Sequence, residues 1–193
     1  APYTSTPNEH TVTLGWAQNY GNEAKKLVQM IFDADQEAFR QIDNAGIEGM
    51  LSKDWVAIRW NPTSTQRSDL IALISSETGR RAQDELFAEL MEKFISDCES
   101  AYTSDVKAQM MYCEIRHLGG KGPVDRIFKR CSGDYSLDSI MNSLKQDQYD
   151  TSSSNQVGDA IFWSRHEKCR EFINKYASEE KATMVLVSNC GHD

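Results

Sequence analysis

The sequence predicts a mainly α (α+β) fold, in which a helical domain carries one small β-hairpin near its N-terminus. Long segments repeat apolar residues at the three- and four-residue spacing of a buried helix face, whereas strand-like alternation is confined to residues 3–14. Glycine, proline and Ser/Thr clusters separate these segments. The 193 residues are expected to form a single domain, because a chain of this length can bury a core without disulfides.

The hairpin is predicted from two short strand-like runs that flank a turn. The runs are residues 3–6 and 11–14, and the Pro-Asn-Glu-His tetrad at residues 7–10 has the composition of a turn. We therefore expect these residues to form a β-wing beside the helices.

Helices are predicted in the following segments: residues 22–42, 67–76, 80–101, 104–120, 124–131, 137–144 and 157–177. In the segment 80–101 the apolar stripe consists of Ala82, Leu86, Leu90, Phe94 and Cys98. Ser104 and Ser136 are expected to cap the helices that follow them. Between the first two segments, Trp55 and Trp60 precede an Asn-Pro break, and they are expected to anchor the core.

The charge balance and the cysteines exclude several classes of function. A net charge of -8 makes the surface a poor partner for nucleic acid. No apolar run approaches the roughly 20 residues of a membrane span, so membrane insertion is not expected, and no signal peptide is visible, although one could have been removed. The five cysteines are odd in number and lack metal-binding spacing, so reduced thiols, no metal and no cofactor are expected.

The residues Trp16, Gln18, Asn19 and Tyr20 form an unusual cluster directly before the first helix. An aromatic face together with amide groups suits the binding of a sugar. The amides could instead cap the helix that begins near Asn22, and Trp16 could belong to the core. Both interpretations stay open at the level of the sequence.

A second candidate site is the loop Arg116-His117-Leu-Gly119-Gly120-Lys121. Glycines let backbone N–H groups approach a ligand closely, and the neighbouring cations would suit an anionic polysaccharide. The same residues could equally form the stop between two helices, because a proline follows them.

Several of these stretches resemble one family. TVTLGWAQNYGNEAKKLVQMI resembles the pattern S-x-G-x-x-Q-W-x-G-x-x-A-x-x-L-L in catalytic domains of endolysins and muramidases from Gram-positive bacteria and their phages, within the lysozyme-like superfamily. The matching residues are Thr13, Gly15, Gln18, Gly21, Ala24 and Leu27. Asn19 stands where the family usually has Trp.

Three later segments extend the resemblance to roughly residues 3–177. SSETGRRAQDELFAELMEKFI resembles the family's S-x-x-G-x-x-x-Q-D-x-L helix. KAQMMYCEIRHLGGKGPVDRI resembles the end of a helix with the pattern A-x-x-x-x-x-D-x-x-N-x-G-G, with Glu114 in place of Asp and His117 in place of Asn. GDAIFWSRHEKCREFINKY is similar to the closing R-R-x-x-x-Y/I helix.

The resemblance implies a lysozyme-like domain with the hairpin beside a substrate cleft, and a carboxyl-catalysed cleavage of the β-1,4 glycosidic bond of peptidoglycan. It makes Glu9 the catalytic carboxylate of the hairpin, although Glu9 could also be a solvated turn residue. The family's principal glutamate lies in an E-G-x-Y-like stretch. With Tyr3 as the Tyr of that stretch, the glutamate would fall immediately before Ala1.

The C-terminal tail offers a second catalytic candidate. Joining SNCGHD, residues 188–193, to APYTS gives D-A-P-Y, which places Asp193 in the position of the family's glutamate. We therefore expect the tail, residues 181–193, to pack beside the N-terminus.

The resemblance also implies the following substrate-binding residues: Thr13, Gln18, Asn19, Tyr20, His117, Gly119 and Gly120. The implied partner is bacterial peptidoglycan, with a separate wall-binding domain as a further partner. The expected location is outside the producing cell, either as a secreted protein or as a phage protein released at lysis. The alternatives are a non-catalytic module that binds the wall or a protein, a chitosanase-type hydrolase and a helical interaction domain.

Overall fold

A computed structural model of the chain describes residues 11–151 and 160–177. Its described residues are mainly helical with one small antiparallel sheet, which confirms the predicted fold class at this level. Glu9, the run 3–6, Asp193 and the tail 181–193 lie outside the described residues.

The secondary structure follows the predicted order. The elements are β1 (Thr13–Leu14), β2 (Asn19–Tyr20), α1 (Asn22–Ala34), α2 (Gln36–Ile42), a 3₁₀ turn (Glu48–Met50), α3 (Ser64–Ser75), α4 (Glu77–Ala101), α5 (Val106–Gly119), α6 (Lys121–Arg130), α7 (Leu137–Thr151) and α8 (Ala160–Tyr176). The Cα positions form two compact units, Ala1–Phe87 and Ala88–Asp193, and α4 contributes residues to both. Among the described helices, none combines the length and the apolar composition needed to cross a bilayer.

The hairpin that the structure describes is not the one that the sequence predicted. β1 belongs to the predicted run 11–14, but it pairs with β2 on its C-terminal side, within the cluster of residues 16–20 that was not predicted as a strand. Gly15 and Gln18 adopt φ angles of 76° and 56°, and the backbone N–H of Gln18 donates to the Gly15 carbonyl at 3.2 Å. This tight turn reverses the chain, and strand periodicity does not reveal such a turn because it depends on left-handed backbone angles.

The predicted helix 22–42 is divided in two at Asp35. Asp35 has φ −158° and ψ 89°, and its carboxylate accepts a hydrogen bond from the Ala38 amide at 2.9 Å, which caps α2. Ala34 at the end of α1 is exposed, and Phe39 in α2 lies in the core. An aspartate side chain can hydrogen-bond to nearby backbone N–H groups, so it favours the start of a new helix over continuation of the preceding one.

In the first unit, α1, α2 and α3 pack around the tryptophans of the 54–60 loop. Trp55 and Trp60 are buried, as predicted, with their ring centroids 4.2 Å apart. The Trp55 indole N–H donates to the Met50 carbonyl at 2.8 Å, so its polar atom is satisfied inside the core. Burial of these large rings supplies much of the apolar area of this unit.

In the second unit, α5 packs against α6, α7 and α8. Its residues from Ala108 to Cys113 are all buried, so this helix forms the centre of the unit. The predicted cap at Ser104 is wrong by one residue: the Asp105 carboxylate accepts from the Ala108 amide at 2.8 Å. The predicted Ser136 cap of α7 is confirmed, since its hydroxyl accepts from the Ser139 amide at 3.3 Å.

The described cysteines Cys98, Cys113, Cys131 and Cys169 are free thiols, as predicted. Burial raises the pKa of Cys98 to about 12 and raises that of Cys113 further. Both thiols are therefore protonated at neutral pH, and they act as small apolar side chains in the core of the second unit.

A buried histidine connects α8 to α5. His166 is 3% exposed, and its Nδ1 atom has no hydrogen-bond partner and lies 3.8 Å from Glu114 Oε1. Glu114 accepts from Arg165 at 2.6 Å, so this glutamate is salt-bridged. Burial lowers the pKa of His166, Glu114 raises it in part, and Arg165 lowers it.

We expect His166 to make the second unit less stable in acid. In the unfolded chain the pKa of histidine is about 6.5, and in the folded chain it is lower, so the unfolded chain binds more protons as the pH falls through this range. The free energy of unfolding should therefore fall by up to about 1.4 kcal/mol per pH unit between the two pKa values. Urea denaturation from pH 8 to pH 5 measures this slope.

The variant His166→Gln should flatten that slope, whereas His117→Gln should retain it. An equally steep slope in both variants would assign the acid sensitivity to other groups.

Candidate functional site

The register of the hairpin places the candidate sugar-binding residues on two faces. Thr13 opposes Tyr20, and Leu14 opposes Asn19. Opposed residues of an antiparallel pair share a face. Leu14 and Val12 belong to the core cluster, so Asn19 lies on the core side of the ribbon and Tyr20 on the outer side with Thr13.

Exposure of the candidate residues follows the two faces only in part, because Thr13 is buried although it opposes Tyr20. Tyr20 is 40% exposed and Gln18 is also exposed, whereas Thr13 and Asn19 are buried. Thr13 Oγ1 and Asn19 Nδ2 have no hydrogen-bond partner. The groups that a ligand can reach directly are therefore the Gln18 amide in the turn and the Tyr20 ring.

The turn of the hairpin is held by a side chain of α4. Gln83, which is 5% exposed, accepts a hydrogen bond from the Trp16 amide at 3.1 Å. Its Nε2 atom donates to the carbonyls of Ile74, at 2.9 Å, and Gly79, at 3.1 Å. A Cβ atom at Gly15 would stand 2.5 Å from Gln83 Oε1, so this position requires a glycine both for space and for its positive φ.

The junction between α3 and α4 places Gln83 in reach of the turn. The Ser76 hydroxyl accepts from the Gly79 amide at 2.9 Å and donates to the Leu73 carbonyl at 2.7 Å. A Cβ atom at Gly79 would overlap the Leu73 carbonyl oxygen, so only glycine permits this close approach. Ser76, Gly79 and Gln83, three residues of the resembling S-x-x-G-x-x-x-Q pattern, therefore position the hairpin.

The base of the hairpin is fixed to the 54–60 loop. The Thr11 hydroxyl lies 3.0 Å from the Trp55 carbonyl and 3.2 Å from the Trp60 carbonyl, and it can donate to one of them at a time. The Asn22 side chain accepts from the Trp55 amide at 3.0 Å and donates to Asp54 at 3.0 Å. These contacts hold the loop against the strand from which Tyr20 projects.

The loop adds an apolar group beside Tyr20. Val56 is 45% exposed, and a Cβ atom at Gly21 would stand 2.5 Å from Val56 Cγ2. We call the exposed side chains of Gln18, Tyr20 and Val56 the hairpin surface. Sequence reasoning missed Val56, because it has no periodic neighbours and its position depends on the contact with Gly21.

Trp16 packs at the other end of the turn. Its ring lies 4.6 Å from the Phe87 ring, centroid to centroid, and the residue is half-buried. This ring contact links the turn to α4, in keeping with the interpretation of Trp16 as a core residue.

The glycine loop belongs to the second unit and is largely explained as a helix stop. Gly119 ends α5, and Gly120 follows with φ 79° and an amide that donates to the Arg116 carbonyl at 2.9 Å. Lys121 pairs with Asp125 at 2.9 Å, and the Arg116 guanidinium lies over a phenylalanine ring. Gly119 and Gly120 are exposed, and His117 is half-buried in the last turn of α5.

The described carboxyl groups whose pKa shifts lack the raised pKa of a general acid. Every described carboxyl whose pKa shifts has its pKa lowered, and these groups are Glu48, Asp54, Asp125, Asp134 and Asp150. A general acid of a glycosidase needs a raised pKa. Within residues 11–151 and 160–177, no three His, Cys, Asp or Glu side chains converge as a metal site would require.

No protein-family model, curated protein or solved structure matches the chain.

We expect Gln83→Ala to loosen the hairpin. The change removes the Gln83 partner of the part-buried Trp16 amide and Ile74 carbonyl, which should lower the free energy of unfolding by about 1–3 kcal/mol. Hydrogen exchange measured by NMR should show that the Trp16 amide exchanges faster.

Gln109→Ala is the matched control, because Gln109 is 6% exposed and donates to Thr103 in the second unit. Unchanged exchange of the Trp16 amide in Gln83→Ala would show that the turn holds itself without α4.

Proposed function

We propose that this protein is a peptidoglycan hydrolase, an endolysin-like N-acetylmuramidase that cleaves the β-1,4 glycosidic bond of the cell-wall glycan. The observation that carries the proposal is the hydrogen bond from the Trp16 amide to Gln83. It joins the two resembling segments T-x-G-x-x-Q and S-x-x-G-x-x-x-Q. The motif residues thus form one connected structure, as expected if the ordered set of motifs reflects a shared architecture.

The hairpin surface supports the proposal through its chemistry. An exposed tyrosine ring can stack on the apolar face of a sugar, and the adjacent Gln18 amide can bind a hydroxyl or an N-acetyl group. Val56 adds an apolar contact of a size that suits an acetyl methyl group. These groups are uncharged, which fits a glycan backbone of neutral amino sugars.

Catalysis under this proposal requires two carboxyl groups near the scissile bond. One protonates the leaving oxygen, and the other stabilises the oxocarbenium-like transition state or positions a water molecule. Glu9 and Asp193 are the candidates for these roles, because the motif resemblance places Glu9 at the hairpin carboxylate and Asp193 at the position of the family's glutamate. The proposed setting is the bacterial wall, reached by secretion or by release at lysis, with a separate wall-binding domain as a further partner.

Digestion of purified Gram-positive peptidoglycan tests the reaction. We expect soluble fragments whose reducing ends, after borohydride reduction, are identified by mass spectrometry as reduced muramic acid. Reduced glucosamine ends would show that the protein cleaves the other glycosidic bond of the glycan. Cleavage of chitosan alone would identify a chitosanase-type hydrolase. Wall that stays intact while it retains the protein would indicate a non-catalytic binding module.

Variants of the hairpin surface test the assigned contacts. Tyr20→Ala and Gln18→Ala should each lower kcat/KM on peptidoglycan by about three- to tenfold, the scale of one lost stacking or hydrogen-bond contact. The control is Tyr176→Ala, because Tyr176 is 45% exposed, like Tyr20 at 40%, but lies on α8. Equal activity in all three variants would remove the hairpin surface from the substrate site.

A further inference from the structure

A cavity of about 520 Å³ opens in the second unit, and none of the candidate residues discussed above lines it. Its wall is formed by the starts of α5 and α7 together with one face of α8. Small-molecule sites in proteins typically measure about 300–1,000 Å³, so the cavity has room for a few residues of peptide.

Local structure keeps the cavity open. Gly133, at φ 95°, lets the chain turn sharply between α6 and α7. Tyr135 is then held by stacking on Phe128, with ring centroids 5.8 Å apart and planes inclined by 20°. Tyr135 lines the cavity, so it presents an aromatic group that is already fixed in place.

The charges in the cavity are balanced, although the chain as a whole carries a net charge of -8. Lys107 and Arg170 supply two cations, and Asp105 and Asp138 supply two carboxylates. Arg170 pairs with Asp138 at 2.6 Å, but their side chains are 41% and 76% exposed, so a ligand can exchange with this pair at low cost.

Two further polar side chains of the cavity wall make no hydrogen bond within the described residues. These are the Lys107 ammonium group and the side-chain amide of Asn174. Asn174 lies one helical turn after Arg170, so both project from the same face of α8. The cavity thus offers donors for a carboxylate beside acceptors for an ammonium group.

This combination selects one class of ligand. A polyanion would be repelled by the two carboxylates, and a lipid chain would find no extended apolar wall. A short peptide that carries both a carboxylate and an ammonium group matches the cations, the carboxylates and the Tyr135 ring together.

We propose that this cavity binds the peptide stem of peptidoglycan. The stem of lysine-type wall contains free carboxylates and a lysine side chain on a short peptide with small aliphatic residues. This inference rests on the proposed function, because that function makes the wall the substrate. A wall polymer held through both its glycan and its stem would gain affinity from the second contact without any change in the chemical step.

Titration with the free stem peptide L-Ala-D-γ-Glu-L-Lys-D-Ala-D-Ala, followed by NMR on the full chain, tests binding directly. We expect chemical-shift changes at Lys107, Tyr135 and Asn174, and about tenfold weaker binding in Arg170→Ala, because a charge-assisted hydrogen bond is lost. Arg170→Lys should restore part of the affinity. Arg165→Ala is the matched control, since Arg165 also lies on α8 and pairs with a carboxylate, Glu114, outside the cavity.

Absence of binding by the unaltered chain, or equal losses in the two alanine variants, would overturn the inference. So would a peptide affinity in Arg170→Ala equal to that of the unaltered chain.

A second measurement separates this inference from the proposed function. Cleavage is compared on intact peptidoglycan and on glycan strands whose stems have been removed by an amidase. If both proposals hold, Arg170→Ala raises KM on intact wall and leaves KM on stripped strands unchanged. If neither substrate is cleaved while the peptide still binds, the muramidase proposal fails and the stem site stands. If both substrates are cleaved with equal KM and the peptide does not bind, the stem site fails alone.

Discussion

The hydrogen bond from the Trp16 amide to the buried Gln83 side chain is the contact on which the hairpin surface depends. A hairpin with two-residue strands is too short to be stable by itself. Gln83 reaches the turn only because Gly15 has no side chain, and its amide is held in turn by two carbonyls of the α3–α4 junction. The positions of Gln18 and Tyr20 are therefore set by a helix far from them in sequence.

This dependence explains what the motif residues contribute. Ser76 and Gly79 bring α3 and α4 close together, and Gln83 extends that junction to the turn. None of these three side chains is placed to react with a substrate. A pattern that resembles an enzyme family can thus reflect the geometry that supports a candidate site.

The two units offer different chemistry to a ligand. The hairpin surface of the first unit is uncharged, with one ring, one amide and one aliphatic group, which fits a neutral glycan. The cavity of the second unit combines two cations with two carboxylates, which fits a zwitterionic peptide. Peptidoglycan contains both components, so under the proposed function one substrate would account for two sites of dissimilar composition.

The sequence by itself determined the features that depend on neighbouring residues. The apolar stripe of α4 and the Ser136 cap could be predicted because helix periodicity and capping act within a few residues. Burial of the tryptophans at the Asn-Pro break was also predicted. The tertiary structure alone decided the strand that pairs with β1, the role of Gln83 and the cavity at Arg170. These depend on positive φ angles and on contacts between residues distant in sequence, such as the 67 positions that separate Trp16 from Gln83, and periodicity carries no information about such contacts.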